Sequence, residues 1–265
     1  MKLIIQSDDY GITEAVSCGI IKGIKEGVIK CTGMFTNMPS SKKAAEMIKE
    51  CPDVCLGIDL NLVAGKPCAD PSKVPSLIKE NGYFYSSRER RAMDEKCENH
   101  DHLSAHLDEV MIEAEAQIEK FIELNGKLPE YLHGHAYSSP TVFKMQDAMM
   151  EKYGVGTSRG FMECNHIDRG SNSWYTVPFG IEDQMKTDTK DFIIHDKMGI
   201  LNSEYGAIIS HCGYVDAPLF DVSSFTIIRT KDLAAMLSDE VKQWIKDNQI
   251  ELITYRDLPN HPLKK

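Results

Sequence analysis

The chain has 265 residues, 42% of them hydrophobic and 26% charged, and its 30 basic against 40 acidic residues give a formal charge of −10. That length suits one large α/β domain with a substantial buried core, and the composition excludes a disordered chain. An acidic surface repels phosphate backbones, so no nucleic-acid partner is expected, and no apolar run approaches the ~20 residues of a membrane span.

The first element, residues 2–7 (KLIIQS), turns polar by Gln6, too soon for a signal peptide, and reads as a strand. Further strands are predicted at 30–37, 54–62, 129–137, 154–158, 206–211 and 250–255, with helices at 13–27, 40–51, 104–125, 140–153 and 231–248. Such alternation predicts an α/β fold, a distorted (β/α) barrel of about seven mostly parallel strands. In 104–125, Leu107, Val110, Met111, Ala114, Ile118, Phe121 and Ile122 form one stripe, the mark of a helix packed on a sheet. Residues 63–103 are rich in Pro, Gly and charge, as expected of a lid, an insertion or a substrate-contacting loop. Within them the run RERR at 88–91 reads as a solvated face. The eight scattered cysteines include no CxxC pair and read as reduced thiols of a cytoplasmic protein, not as zinc ligands.

Four strand ends carry ionisable groups where a barrel needs only apolar filling. Asp8 and Asp9 are adjacent carboxylates, which repel unless a cation or a proton compensates them. The bland alternative is that Asp9 or Thr13 caps the helix that follows. Asp59 and Asn61 share one face of the 54–62 strand, and an Asp there is disfavoured without a partner. His133, His135 and Tyr137 share a face at period two. His211 ends an apolar strand, the place where α/β barrels put catalytic groups. Together these ends bring three Asp and three His to one rim, a donor set suited to Mg, Mn, Co or Zn. The histidines at 100, 102, 106, 166, 195 and 261 lie in polar stretches and receive no role.

These blocks resemble the YdjC/ChbG family of carbohydrate deacetylases, relatives of the NodB-type polysaccharide deacetylases. SDDYGIT (7–13), LGIDLNLVAGKP (56–67), EAQIEKF (115–121), LHGHAY (132–137), SHCGYVD (210–216) and ELITYRDL (251–258) follow the family's blocks in order, so the resemblance covers nearly the whole chain as one domain with an insertion around 63–103. Two departures stand out. Asp59 occupies the place of a metal-binding His, and His133 the place of an Asp, while Tyr137 replaces a final His. Asp and His have exchanged places between neighbouring blocks, which leaves their combined charge unchanged.

The resemblance implies hydrolysis of an N-acetyl group on an amino-sugar oligosaccharide such as diacetylchitobiose. It implies a divalent ion held by Asp9, Asp59 and His135, with Mg the first expectation. Asp8 would be the general base, and His211 would protonate the amine or stabilise the oxyanion. His133 is expected behind the ligands or as an alternative ligand, Asn61 and Tyr137 behind the ligands or beside the substrate, and Tyr10, Tyr137, Tyr214 and Trp174 are candidate sugar platforms. Two carboxylates and one imidazole neutralise a dication, so a weaker enzyme or one preferring a harder metal is expected than with one carboxylate and two imidazoles. Family members suggest a homodimer. Two competing readings remain: cleavage of a phosphorylated disaccharide through paired carboxylates, and a sugar-binding protein that has lost catalysis.

Overall fold

The computed structural model describes residues 1–176 and 179–263. Alternating apolar runs form β1 (Lys2–Tyr10), β2 (Cys31–Met34), β3 (Cys55–Leu60), β4 (Leu132–Gly134), β5 (Tyr205–Ser210) and β6 (Glu251–Ile253), all paired in parallel. Their order is β4-β3-β2-β1-β5. β5 takes one edge of β1 along Lys2–Ser7, so β6, which pairs with Lys2–Ile4, and β2, which starts at Gln6, share the other edge in succession. The sheet curls around that junction into a distorted barrel.

Around it lie α1 (Glu14–Glu26), α2 (Ser41–Met47), α3 (Ser87–Asp94), α4 (Leu107–Asn125), α5 (Pro140–Tyr153), α6 (Ser158–Cys164), α7 (Ile181–Lys186), α8 (Thr189–Ile194), α9 (Leu219–Val222), α10 (Ile227–Leu237) and α11 (Asp239–Asp247). Their starts follow local chemistry: the side chains of Thr13, Ser139 and Ser238 accept bonds from the first-turn amides of α1, α5 and α11. Thr13 is therefore a cap, and Asp9 is not.

Period-two alternation sorts the strands onto two faces. Leu3 and Ile5 join the large core under the helices, whereas Ile4 joins a smaller cluster with Cys31, Cys55, Tyr131, Ala207, Ile253 and Tyr255 on the inner side. The inner parity then runs from Ile4 to Asp8 on β1, from Cys55 to Asp59 on β3, and from Tyr131 to His133 on β4. Apolar burial at the strand starts thus fixes where the polar ends point. Two glycines make room for them. A Cβ on Gly57 would sit 2.5 Å from the Tyr131 ring, and one on Gly33 would sit 1.8 Å from Asp59 Oδ1.

The fold departs from expectation in three places. Residues 154–158 form no strand: Thr157 bridges Leu132 and then caps α6, so six strands are found among the described residues instead of seven. The helix expected at 231–248 breaks at Ser238, which caps α11. The RERR run is solvated only in part. Arg90 is fully buried, and it bonds through Nε to Leu62 O and through Nη2 to Leu77 O, tying the insertion to the exit of β3.

Candidate active site

β1 carries a bulge between Ser7 and Tyr10, where Asp9 adopts the left-handed region at φ 72°. Successive residues of a regular strand point to opposite faces. The bulge cancels that rule, and both Asp8 and Asp9 line the same cleft of about 1180 Å³. Asp59, His133, His135 and His211 complete its floor. The rim that the four strand ends were expected to form is present.

Within the floor the groups fall into two nests. The first holds Asp8, Asp59 and His133, with one donor atom from each lying within 4.8 Å of the others. Asp59 and His133 are direct partners in the β3–β4 register, so the two exchanged residues stand side by side on neighbouring strands. His133 Nε2 lies 3.4 Å from Asp8 Oδ2, and its Nδ1 lies 2.6 Å from Ser158 Oγ at the start of α6. Behind Asp8, Gln6 donates to its Oδ1, and Tyr255 OH donates to Gln6 Oε1 at 2.8 Å. Asp59 Oδ2 accepts the Asp9 amide at 2.8 Å, while Oδ1 is buried without a hydrogen-bond partner. Burial, with Asp8 and Asp9 adding repulsion, pushes the Asp59 carboxyl up to about 7. Burial opposes the His133 imidazolium, but Asp8 outweighs it and raises that ring to about 9.

The second nest sets nitrogen groups at ion-pair distance from its carboxylate, yet Asp9 Oδ1 and Arg229 Nη1, like Asp59 Oδ1, are buried without a hydrogen-bond partner. Asp9 Oδ2 lies 2.6 Å from Arg229 Nη2, and its Oδ1 lies 2.8 Å from His135 Nδ1. Burial works against this carboxylate, yet His135 and Arg229 hold it well below the usual range. Arg229, on α10, is fully buried and spends its Nε on Phe225 O. His211 stands across the floor. Burial lowers its pKa, its Nδ1 has no hydrogen-bond partner, and its backbone amide donates to Asp232 at 3.0 Å. Asp232 also receives Trp174, Thr189 and Tyr175, a buried hub that fixes this wall.

The structure separates some expected partners. Asp9 and His135, expected to share an ion with Asp59, lie in the second nest, and Asp8, expected as the base, lies in the first beside His133. Asn61 is fully buried and turns its amide inward: Nδ2 bonds Ala64 O and Asn37 Oδ1, and Oδ1 accepts the amides of Val63 and Ala64. It shapes a loop and leaves nothing for a sugar. Tyr137 OH bonds Asp94 at 2.8 Å, away from the floor. Tyr10 and Trp174 are buried with their polar atoms paired, and Tyr214 lies outside the cleft. The aromatic walls are instead Tyr175, Phe179, Phe220 and Phe225. Sequence reasoning missed Arg229, Asp232, Ser158 and Gln6; only Gln6, polar inside an apolar strand, left a local signal.

The YdjC-like protein family model matches residues 2–247. The chain belongs to that family. Its curated relatives include carbohydrate deacetylase 2 of Listeria innocua, 29% identical over 98% of this chain and 99% of that protein. A carbohydrate deacetylase of Thermoanaerobacter pseudethanolicus is 30% identical over 96% of this chain and 97% of that one. Among solved structures, one from Enterococcus faecalis described as a putative cellobiose-phosphate cleavage protein aligns with a TM-score of 0.79. It is 26% identical and spans 97% of this chain and 98% of its own. Among the described residues no helix is long and apolar enough to cross a membrane.

Proposed function

We propose that the chain is a metal-dependent carbohydrate deacetylase that hydrolyses the N-acetyl amide of a small amino-sugar oligosaccharide of the diacetylchitobiose type. Relatives named carbohydrate deacetylases, similar over nearly their whole length, supply the reaction class. The observation that carries the metal is the grouping of Asp8, Asp59 and His133, with one ligand atom of each within 4.8 Å of the others and Asp59 Oδ1 buried without a hydrogen-bond partner. A buried carboxylate without a partner costs free energy that a cation would recover. Asp8, Asp59 and His133 fit a divalent ion and would hold it, with Ser158 and Gln6 orienting the outer two. When bound, such an ion supplies Lewis acidity toward the acetyl carbonyl and eases the deprotonation of water.

The remaining work falls to this chain's own groups. Asp9, kept ionised at neutral pH by Arg229 and His135, accepts the proton of the attacking water. His211, held neutral by burial, donates a hydrogen bond to the oxygen that gains charge. Asp9 then returns its proton to the leaving sugar nitrogen, so acetate and a free amine result. The Tyr175, Phe179, Phe220 and Phe225 walls give a pyranose an apolar face to lie against. Mg is the ion we expect, since two carboxylates and one imidazole already neutralise a dication.

The test is an assay of acetate against reducing-sugar release, run with Mg, Mn, Co and Zn on diacetylchitobiose and on a disaccharide phosphate. Acetate from the first substrate supports the proposal. Reducing sugar from the second would move the assignment to glycoside cleavage, and binding without turnover would make the chain a sugar-binding relative.

A further inference from the structure

The insertion between β3 and β4 carries a partly buried polar cluster that reaches the turn following His135. Asp94, the last residue of α3, accepts His102 Nδ1 at 2.6 Å, His102 N at 2.9 Å and Tyr137 OH at 2.8 Å. His102 Nε2 lies 3.1 Å from Arg90 Nη1. An arginine can only donate, so Nε2 accepts and the ring proton resides on Nδ1, pointing at Asp94. Arg90 is anchored to the carbonyls of Leu62 and Leu77, so the cluster is fixed at the exit of β3. One turn before Asp94 on the same face of α3, Arg91 Nη2 donates to Ala136 O at 2.6 Å.

Those two contacts from α3 grip the segment that follows His135. Ala136 sits at φ 54°, a left-handed conformation costly for a residue with a Cβ, and Tyr137 N folds back on His135 O at 2.6 Å. A strained turn persists only where its surroundings hold it. Arg91 holds the Ala136 carbonyl, and Asp94 holds the Tyr137 hydroxyl. The His135 imidazole leaves this turn toward Asp9, packed edge-on against Phe35 with ring centroids 4.7 Å apart.

We propose that Asp94, Tyr137 and Arg91 are positioning residues: the Asp94–Tyr137 hydrogen bond and the Arg91–Ala136 contact hold the turn that aims His135 at Asp9. The insertion is then part of the catalytic apparatus as well as a wall of the cleft, and Arg91, which lines that cleft, links sugar contact to the same turn. Under the deacetylase reading on which its kinetic arm rests, loosening the turn lowers turnover and leaves binding of the sugar unchanged.

Tyr137→Phe and Asp94→Asn test this, with Tyr153→Phe, a hydroxyl on exposed Glu119, as the control. The metal-free proteins are compared by NMR of the histidine rings and by urea unfolding, and the metal-loaded proteins by acetate release. In both variants we expect the His135 resonance to shift and broaden while that of exposed His195 stays put, with urea unfolding still cooperative and the protein fully folded under assay conditions. We expect kcat to fall roughly tenfold or more at a KM within about twofold, and the double variant to be no worse than the worse single one. Unmoved His135 signals overturn the proposal, as does a loss that tracks lowered stability or appears in KM alone. If the wild-type protein releases no acetate, the deacetylase reading fails while the NMR arm still decides whether α3 positions His135.

Discussion

The two nests on the barrel floor contain similar residues and stand in opposite electrostatic states. Around Asp9, His135 and Arg229 stand at ion-pair distance from the two oxygens and hold the carboxylate ionised, although Oδ1 makes no hydrogen bond. Around Asp59 two carboxylates face each other, one oxygen has no partner, and the carboxyl is pushed up to about 7. The surroundings lower one carboxyl and raise the other. The difference teaches that adjacent acids need not share a task. The bulge at Asp9 splits them between the two nests, and on the proposed function one serves a cation seat and the other proton transfer.

The sharpest way to break this division is Asp9→Asn. We expect kcat to fall by roughly 10³-fold at unchanged metal content, as for loss of a general base; loss of the metal instead would make Asp9 a ligand. Arg229→Met should strand a buried carboxylate and cost about 3–5 kcal/mol in urea unfolding. A cost near zero would mean that Asp9 is not ionised there. Ser158→Ala should weaken metal binding roughly 10-fold to 100-fold by freeing His133 to rotate, with kcat at saturating metal retained. An unchanged affinity would remove His133 from the seat.

Both nests were partly legible in the sequence. Asp8, Asp9, Asp59, His133, His135 and His211 each end an apolar run, and alternation at period two is a local property that predicts which way they face. What alternation could not provide was the partition among them, because the bulge shifts Asp9 by one position and leaves no compositional trace. Arg229 lies 220 residues from the carboxylate it neutralises, on a helix whose pattern reads as ordinary packing. Arg90 sits in a charged run and is nonetheless fully buried, because the carbonyls that receive it lie on separate loops. The short helices between 158 and 194 are below the length at which periodicity speaks. Asn61 and Tyr137 were expected behind the ligands or beside the substrate, but their polar atoms turn to loop groups and to Asp94 and neither lines the cleft.

Another buried carboxylate, outside both nests, gives the smallest expected effect and a reference for those within them. Glu113 on α4 accepts the amides of Cys68 and Ala69 at 2.9 Å, yet burial raises it from 4.5 to about 7. The fold therefore keeps a proton that the unfolded chain releases near 4.5. Its stabilising contribution is fully present below that pH and is lost as pH rises through about 7. The wild-type unfolding midpoint should accordingly fall relative to that of Glu113→Gln between pH 4.5 and pH 8. A constant gap would show that Glu113 is ionised throughout.

Anomalous diffraction from a manganese-soaked crystal addresses the central claim directly. The account predicts one strong peak within coordination distance, ~2.0–2.6 Å, of oxygen atoms of Asp8 and Asp59 and of a nitrogen of His133, with Asp9 still on Arg229. A peak on Asp9 and His135 with Asp8 unbound, or no peak on the floor at all, would contradict it.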